Sequence, residues 1–252
     1  MDYKKFIFAG NKPVKLVLLG DIHYGSKTVD TKLFLNTITK LKKNKNIKII
    51  LMGDVIENAS ALSVGSGVYK QKENPNEQIQ SIVKILKPLS KQILFFHQGN
   101  HERRSERFCG ISAGNYLADA LGVPYVENMA LTDIFVGKQK YRIFTWHGAG
   151  SAQSTAGRIK VLERQSESFE ADLYAQGHGH DLFSSTIPHR EIVNGKFKDI
   201  FVHYILTGSY CSWDGSYAEE NGYKMMKLGC PLITLNNKEK SIAVDLNWFE
   251  TK

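Results

Sequence analysis

Cysteine and long apolar runs are scarce in this sequence, and each scarcity excludes a class of protein. The 252 residues include three cysteines, Cys109, Cys211 and Cys230, which are too few and too scattered for a disulfide framework or a zinc knuckle. No apolar run approaches the roughly 20 residues that a membrane-spanning helix needs, and the first ten residues lack the apolar stretch of a signal peptide. We therefore expect a cytoplasmic protein with no membrane association.

The remaining composition is that of an ordinary globular protein. Hydrophobic residues make up 42% and charged residues 23%, which argues against disorder, collagen and coiled coil. The length suffices for one large core, and no linker or repeat divides the chain, so we predict a single domain over residues 1–252. Lysine and arginine exceed the acids by 33 to 25, a net charge of +8 that hints at a polyanionic partner such as nucleic acid.

Short apolar segments alternate with amphipathic segments in the first half of the chain. Residues 14–19, 47–52 and 93–96 are β-branched or aromatic runs that predict buried strands. Between them, apolar residues at helical spacing predict helices over residues 31–43 and 77–86. This order predicts parallel strands that are joined by right-handed crossovers.

The second half is richer in predicted strands. Residues 131–136 and 141–146 flank a polar turn and predict a hairpin, and residues 154–169 predict a helix. Further strands are predicted at residues 171–175, 182–187, 199–206, 232–235 and 241–249. Residues 58–76 and 208–229 have the length of functional surface loops.

Side chains that can bind metals follow the predicted strands. In chain order they are Asp21, His23, Asp54, Asn100, His147, His178 and His180. Because the carboxyl ends of strands line the ligand crevice of an α/β sheet, we expect these residues to converge. Mixed nitrogen and oxygen donors suit Mn, Fe, Zn or Ni, and seven ligands suit two ions that share a carboxylate.

Five motifs, GDIH, GDVIE, GNHE, WHG and GHGH, occur in this order between Gly20 and His180. In that order they resemble the calcineurin-like metallophosphoesterases. The resemblance implies an α/β fold, a four-layer α/β/β/α sandwich with two mixed β-sheets flanked by helices. It also implies a hydrolase that acts on phosphoester bonds with two divalent transition-metal ions, manganese being our first expectation.

The resemblance further implies a role for each site residue. The first ion would be held by Asp21, His23 and His180, and the second by Asn100, His147 and His178. Asp54 would bridge the ions, and His101 is similar to the family's histidine beside the leaving group. Glu57 takes the position of the acid that orients this histidine.

The sequence departs from the family pattern at two positions. Asn58 stands where the protein phosphatase branch has an arginine, and Trp146 stands where a glycine usually precedes the histidine of the fourth motif, His147. The missing arginine, the basic balance and the long loops favour a phosphodiesterase that acts on nucleic acid or nucleotides. In the expected reaction, a metal-bridging hydroxide attacks phosphorus and His101 protonates the leaving group. The alternatives are a phosphomonoesterase, which would act on protein or small nucleotides, and an inactive binding module.

Three further residues are candidates for substrate binding. Arg103 and Arg104 follow His101 directly and have the chemistry to hold a phosphate, although a solvated helix start explains them too. Tyr69 ends a glycine-rich stretch and would stack on a base, or else lie in a plain surface loop. Glu102 supports the site or is a surface acid. The sequence does not indicate the oligomeric state.

Overall fold

The structure, a computed structural model, describes residues 1–61, 63, 67–150 and 152–250. Its strands are β1 Asp2–Phe8, β2 Val14–Leu19, β3 Ile47–Leu51, β4 Ile93–His97, β5 Tyr125–Val126, β6 Met129–Val136, β7 Gln139–Trp146, β8 Leu173–Gln176, β9 Leu182–Val193, β10 Lys196–Thr207, β11 Leu232–Leu235 and β12 Ile242–Asp245. Its α-helices are α1 Thr31–Lys43, α2 Pro75–Leu86, α3 Glu102–Cys109, α4 Ala113–Leu121, α5 Thr155–Ser166 and α6 Tyr217–Glu220.

The strands of the described residues form two mixed six-stranded sheets. One has the order β1-β6-β7-β8-β10-β9 and the other the order β12-β11-β2-β3-β4-β5. Strands β2, β3 and β4 are parallel neighbours, as the alternating pattern predicts, and β11 joins them antiparallel. The carboxyl ends of β2, β3 and β4 therefore lie at one edge of their sheet.

Three apolar layers hold the sheets and helices together. Between the sheets, Leu16 and Leu18 of β2 belong to the same buried cluster as Ile143 of β7. On the outer face of the β2 sheet, helices α1, α2 and α4 cover the alternate side chains such as Val17 and Leu19. Helix α5 covers the outer face of the other sheet. This α/β/β/α sandwich confirms the predicted fold class.

The structure departs from the predicted elements in the half-exposed strands. β1 is unpredicted, because its side chains alternate between partly exposed and exposed positions and give no buried run. The β9–β10 hairpin is longer than predicted and turns at Asn194-Gly195, where both residues have positive φ. An Asn-Gly pair flanked by strand-forming residues is a strong sequence signal for such a hairpin. β12 is shorter than predicted, since the Asp245 side chain accepts from the backbone N–H of Asn247 and turns the chain.

No helix in the described residues is long and apolar enough to cross a membrane. The assignment of the whole chain to one domain stays a prediction.

The buried carboxylate of Asp133 on β6 links three strands and generates a stability prediction. It accepts from Tyr3 Oη at 2.9 Å and Arg142 Nε at 2.8 Å, and Lys140 Nζ lies 2.8 Å away. The hydrogen bonds from Arg142, aided by Lys140 and Tyr3, outweigh burial and hold the pKa of Asp133 well below its usual value. The folded state therefore favours the ionised form, and its stabilisation is lost as the pH falls through about 4 towards the lower folded pKa.

Asp133→Asn should lower the free energy of unfolding by about 1–3 kcal/mol at pH 7, and the difference from wild type should shrink below about pH 4. Urea denaturation at pH 7, 5 and 3 measures this. Asp199→Asn is the matched control, because the Arg190–Asp199 pair lies exposed on the hairpin and should contribute little. Equal effects of the two variants at pH 7 would contradict the prediction.

Candidate metal centre

The seven predicted metal ligands meet where strands of both sheets end. β2 is followed by Asp21 and His23, β3 by Asp54, and β4 by Asn100. From the other sheet, His147 follows β7 directly, and the Gly177–His180 segment follows β8. Backbone hydrogen bonds from Asp21 to Gly53 and from His23 to Asp54 continue the β2–β3 pairing into the loops. The sheet edge thus positions these side chains, as the sequence analysis predicts.

One group of side chains contains Asp21, His23 and His180. The Nε2 atoms of the two histidines lie 2.9 Å apart. Asp21 Oδ1 lies 3.5 Å from the His180 nitrogen and 3.8 Å from the His23 nitrogen. Asp21 also accepts from the backbone N–H of His178 at 2.9 Å, which fixes its carboxylate from the opposite loop.

A second group contains Asn100, His147 and His178. Asn100 Oδ1 lies 3.0 Å from His147 Nε2 and 2.8 Å from His178 Nδ1. Asp54 lies between the two groups, because its Oδ2 is 3.4 Å from His147 Nε2 and 3.8 Å from His23 Nε2. The structure therefore brings together the residues of each triplet and places Asp54 beside both, whereas their roles as metal ligands stay a prediction.

The backbone at these positions is strained. Among the described residues other than glycine, seven have positive φ, and five of these are Asp21, His23, Asp54, His178 and His180. A left-handed conformation is costly for such residues and persists where the surrounding structure enforces it, commonly at functional sites. Here the fold holds the side chains of both groups towards one point.

Glycines permit the close approach of the loops. A Cβ atom on Gly99 would lie 2.1 Å from Asp54 Oδ1, and one on Gly177 would lie 2.8 Å from Asp21 Oδ2. Any side chain at these positions would collide with a carboxylate of the centre. The glycines of the GNHE and GHGH motifs are thus explained by packing at the site.

Glu102, which the sequence left undecided, is a buried support of the site. Its Oε2 accepts from the backbone N–H groups of Asp54 and Gly99, both at 2.9 Å, and its Oε1 accepts from those of Val55 at 2.7 Å and Ile56 at 3.2 Å. Burial and the charge of Asp54 raise the pKa of Glu102 to about 7, against the stabilisation by these N–H donors. One carboxylate at the start of α3 therefore holds the loops that follow β3 and β4.

Glu57 contacts both His23 and His101, but differently from the expectation. Its Oε2 lies 3.2 Å from His23 Nδ1 and 3.5 Å from His101 Nδ1, whereas its backbone carbonyl is 2.8 Å from His101 Nδ1. Burial alone would raise the pKa of Glu57, yet hydrogen bonding to His23 and the adjacent charges lower it to about 2. Because a carbonyl only accepts, His101 carries its proton on Nδ1.

Arg104 lies at the site and Arg103 points away from it. Arg104 Nη2 donates to His101 Nε2 at 2.9 Å, and its Nη1 donates to the backbone carbonyl of Glu57 at 2.8 Å. Arg103 Nη2 instead donates to Gln98 Oε1 at 3.0 Å and to the carbonyl of Glu127 at 3.1 Å. Of the two arginines that the sequence proposes for substrate binding, only Arg104 is brought to the centre.

The predicted stacking residue Tyr69 lies on the surface with 82% of its area exposed. Part of its glycine-rich stretch, residues 64–66, lies outside the described residues. The two long loops meet each other through an ion pair between Lys70 and Glu220. Residues 58–76 and 208–229 are therefore in contact in the folded chain.

The donor set fits divalent metal ions. His147 Nδ1 donates to the carbonyl of Met52 at 2.7 Å, and its Nε2 faces two other acceptor oxygens, those of Asn100 and Asp54. Burial disfavours charge on His147, but Asp54 and the hydrogen bonds outweigh it and raise the pKa of His147 to about 9. The surroundings thus favour positive charge at this nitrogen, which a bound cation supplies as well as a proton does.

The family model for calcineurin-like phosphoesterases matches residues 14–233. The chain belongs to this family. It is accordingly a metal-dependent hydrolase of phosphoester bonds, with histidine and aspartate side chains positioned to bind metal. No curated protein matches the chain at a significant level.

Solved structures with related folds have low sequence identity to this chain. Vacuolar Protein Sorting 29 from Cryptosporidium parvum is 15% identical over 93% of this chain and 97% of its own, with a TM-score of 0.44. The phosphoesterase YfcE from E. coli is 16% identical over 92% of this chain and 98% of its own, with a TM-score of 0.42. The calcineurin-like phosphoesterase YfkN from Bacillus subtilis is 13% identical over 77% and 91% of the two chains, with a TM-score of 0.41.

The position of Glu102 generates a second prediction. Glu102→Gln replaces one acceptor oxygen by an NH₂ group that faces backbone N–H donors, so two buried donors lose their partner. The free energy of unfolding should fall by roughly 2–4 kcal/mol, and the metal content should fall with it because the loop carrying Asp54 loses its anchor. Urea denaturation and elemental analysis of the purified protein measure the two effects.

Glu106→Gln is the matched control on the same helix. Glu106 is exposed and accepts a single hydrogen bond, from Gln98 Nε2 at 2.8 Å. Its variant should keep wild-type metal and stability within about 0.5 kcal/mol. The support role of Glu102 is wrong if both variants behave alike.

Proposed function

We propose that this phosphoesterase is a phosphodiesterase with a dinuclear centre of two divalent transition-metal ions. In this proposal, each of the two groups of side chains described above would hold one ion, and Asp54, which lies between the groups, would be shared by the two ions. When bound, such ions supply Lewis acidity at phosphoryl oxygens and make water acidic enough to attack phosphorus near neutral pH. The protein side chains would hold the phosphoester in line with the attacking water and supply a proton to the leaving group.

His101 is proposed to donate a proton to the leaving group. Its Nδ1–H is fixed by the carbonyl of Glu57, and its Nε2 points towards Asp54 Oδ2 at 3.8 Å. Burial is the main reason that the pKa of His101 is lowered to about 3, so the ring is neutral before substrate binds. An anionic phosphoester next to the ring favours a proton on Nε2, which His101 can then donate to the departing alkoxide. Arg104, which donates to the same nitrogen, is proposed to release Nε2 at that stage and to stay bound to Glu57.

The engagement of nearby arginines is the observation that favours diesters. A monoester carries a second negative charge, which a free cation beside the centre would stabilise. Here Arg104 is bound to Glu57 and His101, Arg103 is bound to Gln98 and Glu127, and Arg158 is paired with Asp181 at 3.3 Å. A diester carries a single charge and has less need of a further cation, so it suits this centre better.

A substrate panel with Mn²⁺ tests the proposal. We expect the hydrolysis of bis-p-nitrophenyl phosphate to exceed that of p-nitrophenyl phosphate by roughly tenfold or more in kcat/KM, a difference of about 1.4 kcal/mol in transition-state binding. Single- and double-stranded DNA and a phosphopeptide extend the panel. A preference for monoesters would overturn the diesterase assignment, and a metal-loaded protein that hydrolyses none of the substrates would indicate a binding module.

The proposed roles of His101 and Asp54 separate in a pair of variants. His101→Ala should retain metal and lose roughly 10²–10⁴-fold in kcat, because it removes only the proton donor. Asp54→Ala should lose both metal and activity, since Asp54 contacts both groups. Elemental analysis and steady-state kinetics measure this, with His189→Ala on the exposed hairpin as a histidine control. Full activity of either the His101 or the Asp54 variant would contradict the role proposed for that residue.

A further inference from the structure

A cysteine of the long 208–229 loop lies at the centre, although neither the motifs nor the proposed function includes it. The Cys211 sulfur and ring nitrogens of His23 and His180 all lie within 4.8 Å of one another. These two histidines are the ones grouped with Asp21, away from Asn100. The cysteine is only partly exposed, whereas Cys109 lies on the surface and Cys230 lies in the core.

Cys211 is held at this position by several hydrogen bonds. Ser209 Oγ donates to the backbone carbonyl of Asp21 at 2.9 Å and accepts from the N–H of Cys211 at 3.0 Å. The N–H of Tyr210 also donates to the Asp21 carbonyl, at 3.1 Å. On the other side, Cys211 forms an antiparallel bridge with Val29. The backbone of Cys211 is therefore fixed to the same turn that carries Asp21 and His23.

The donor atoms lie close together on the scale of a single coordination sphere. Around a tetrahedral zinc ion with Zn–N near 2.05 Å and Zn–S near 2.3 Å, neighbouring donor atoms lie about 3.3–3.6 Å apart. The Nε2 atoms of His23 and His180 lie 2.9 Å apart, and the sulfur lies within 4.8 Å of a ring nitrogen of each histidine.

We propose that Cys211 is a thiolate ligand of the ion held by Asp21, His23 and His180. As the metal–sulfur bond forms, the thiol proton leaves to solvent, so one proton is released for each ion bound. This inference rests on the proposed function, because it concerns one of the two ions of that centre. It adds a soft donor to a set that the sequence analysis treats as nitrogen and oxygen only.

The thiolate makes the two metal positions chemically different. Soft thiolate favours Zn²⁺, Co²⁺ or Fe²⁺ over Mn²⁺, whereas the group of Asn100, His147 and His178 offers only nitrogen and oxygen. The position beside Cys211 should therefore retain zinc when the other position exchanges it for manganese. The first expectation from the sequence, manganese, then applies to the second position alone.

Cobalt substitution of the full-length protein tests the proposal by a readout other than activity. The Co²⁺-loaded wild type should show a thiolate-to-cobalt charge-transfer band in the near ultraviolet, and Cys211→Ser should lack it. In a chelator competition, Cys211→Ser should lower the affinity for one of the two bound Zn²⁺ ions by at least about tenfold. Loss of a residue that only hydrogen-bonds to a metal ligand already costs about that much, so loss of a ligand should cost no less. Its affinity for Mn²⁺ should change less.

Two further variants keep the test decisive. Cys109→Ser replaces an exposed cysteine away from the centre and should keep the charge-transfer band and the zinc affinity of wild type. Cys211→Asp keeps an anionic donor and should bind two ions without the band, which separates loss of the ligand from loss of the fold. The inference is overturned if Co²⁺-loaded wild type lacks the band, or if Cys211→Ser binds zinc as tightly as wild type.

These outcomes differ from those that would overturn the proposed function. A protein that binds two Co²⁺ ions without a charge-transfer band and still prefers diesters would refute only the role of Cys211. A protein that shows the band but prefers monoesters would refute only the diesterase assignment. If wild type binds no metal in any form, both proposals fail.

Discussion

The geometry of the centre depends on one buried carboxylate that accepts four backbone hydrogen bonds. Glu102 receives the N–H groups of Asp54, Val55, Ile56 and Gly99, so the loop after β3 and the loop after β4 are fixed to the first turn of α3. Without this acceptor, these buried N–H groups would lack partners, at a cost of about 1–3 kcal/mol each. The carboxylate thereby sets the position of the neighbouring loops before any metal or substrate binds.

Hydrogen bonds between main-chain groups and side chains also fix site residues across the two sheets. The Asp21 carboxylate accepts from the backbone of His178, and the carbonyl of Met52 orients the ring of His147. Main-chain groups of one sheet thus orient side chains of the other, at positions where left-handed backbone conformations are enforced. The apolar layer between the sheets keeps these partners in register. Metal chemistry at this edge therefore depends on how well the whole sandwich packs.

The hydrogen bonds of the side chains near His101 determine which of them are available at the centre. Arg103 follows His101 as closely as a phosphate-binding residue would, yet its guanidinium is bound to Gln98 and Glu127. Arg104, one position further along α3, reaches His101 because successive residues of a helix point in directions about 100° apart. The same loop segment that ties Tyr210 to Asp21 brings Cys211 within 4.8 Å of a ring nitrogen of His23.

The sequence by itself determined the strands whose side chains form continuous apolar runs, and the residue types that follow them. Strand ends meet at the edge of a parallel sheet, so the convergence of the four ligands that follow β2, β3 and β4 could be inferred without coordinates. The other three predicted ligands are histidines that follow strands of the other sheet, and their approach to these four was implied by the family resemblance. Only the tertiary structure decided that Glu102 is buried, that Arg103 points away and that Cys211 reaches the centre. Each of these depends on contacts between segments distant in sequence, for which local periodicity carries no signal. β1 was missed for a related reason, because pairing with β6 stabilises a strand whose own pattern is only half apolar.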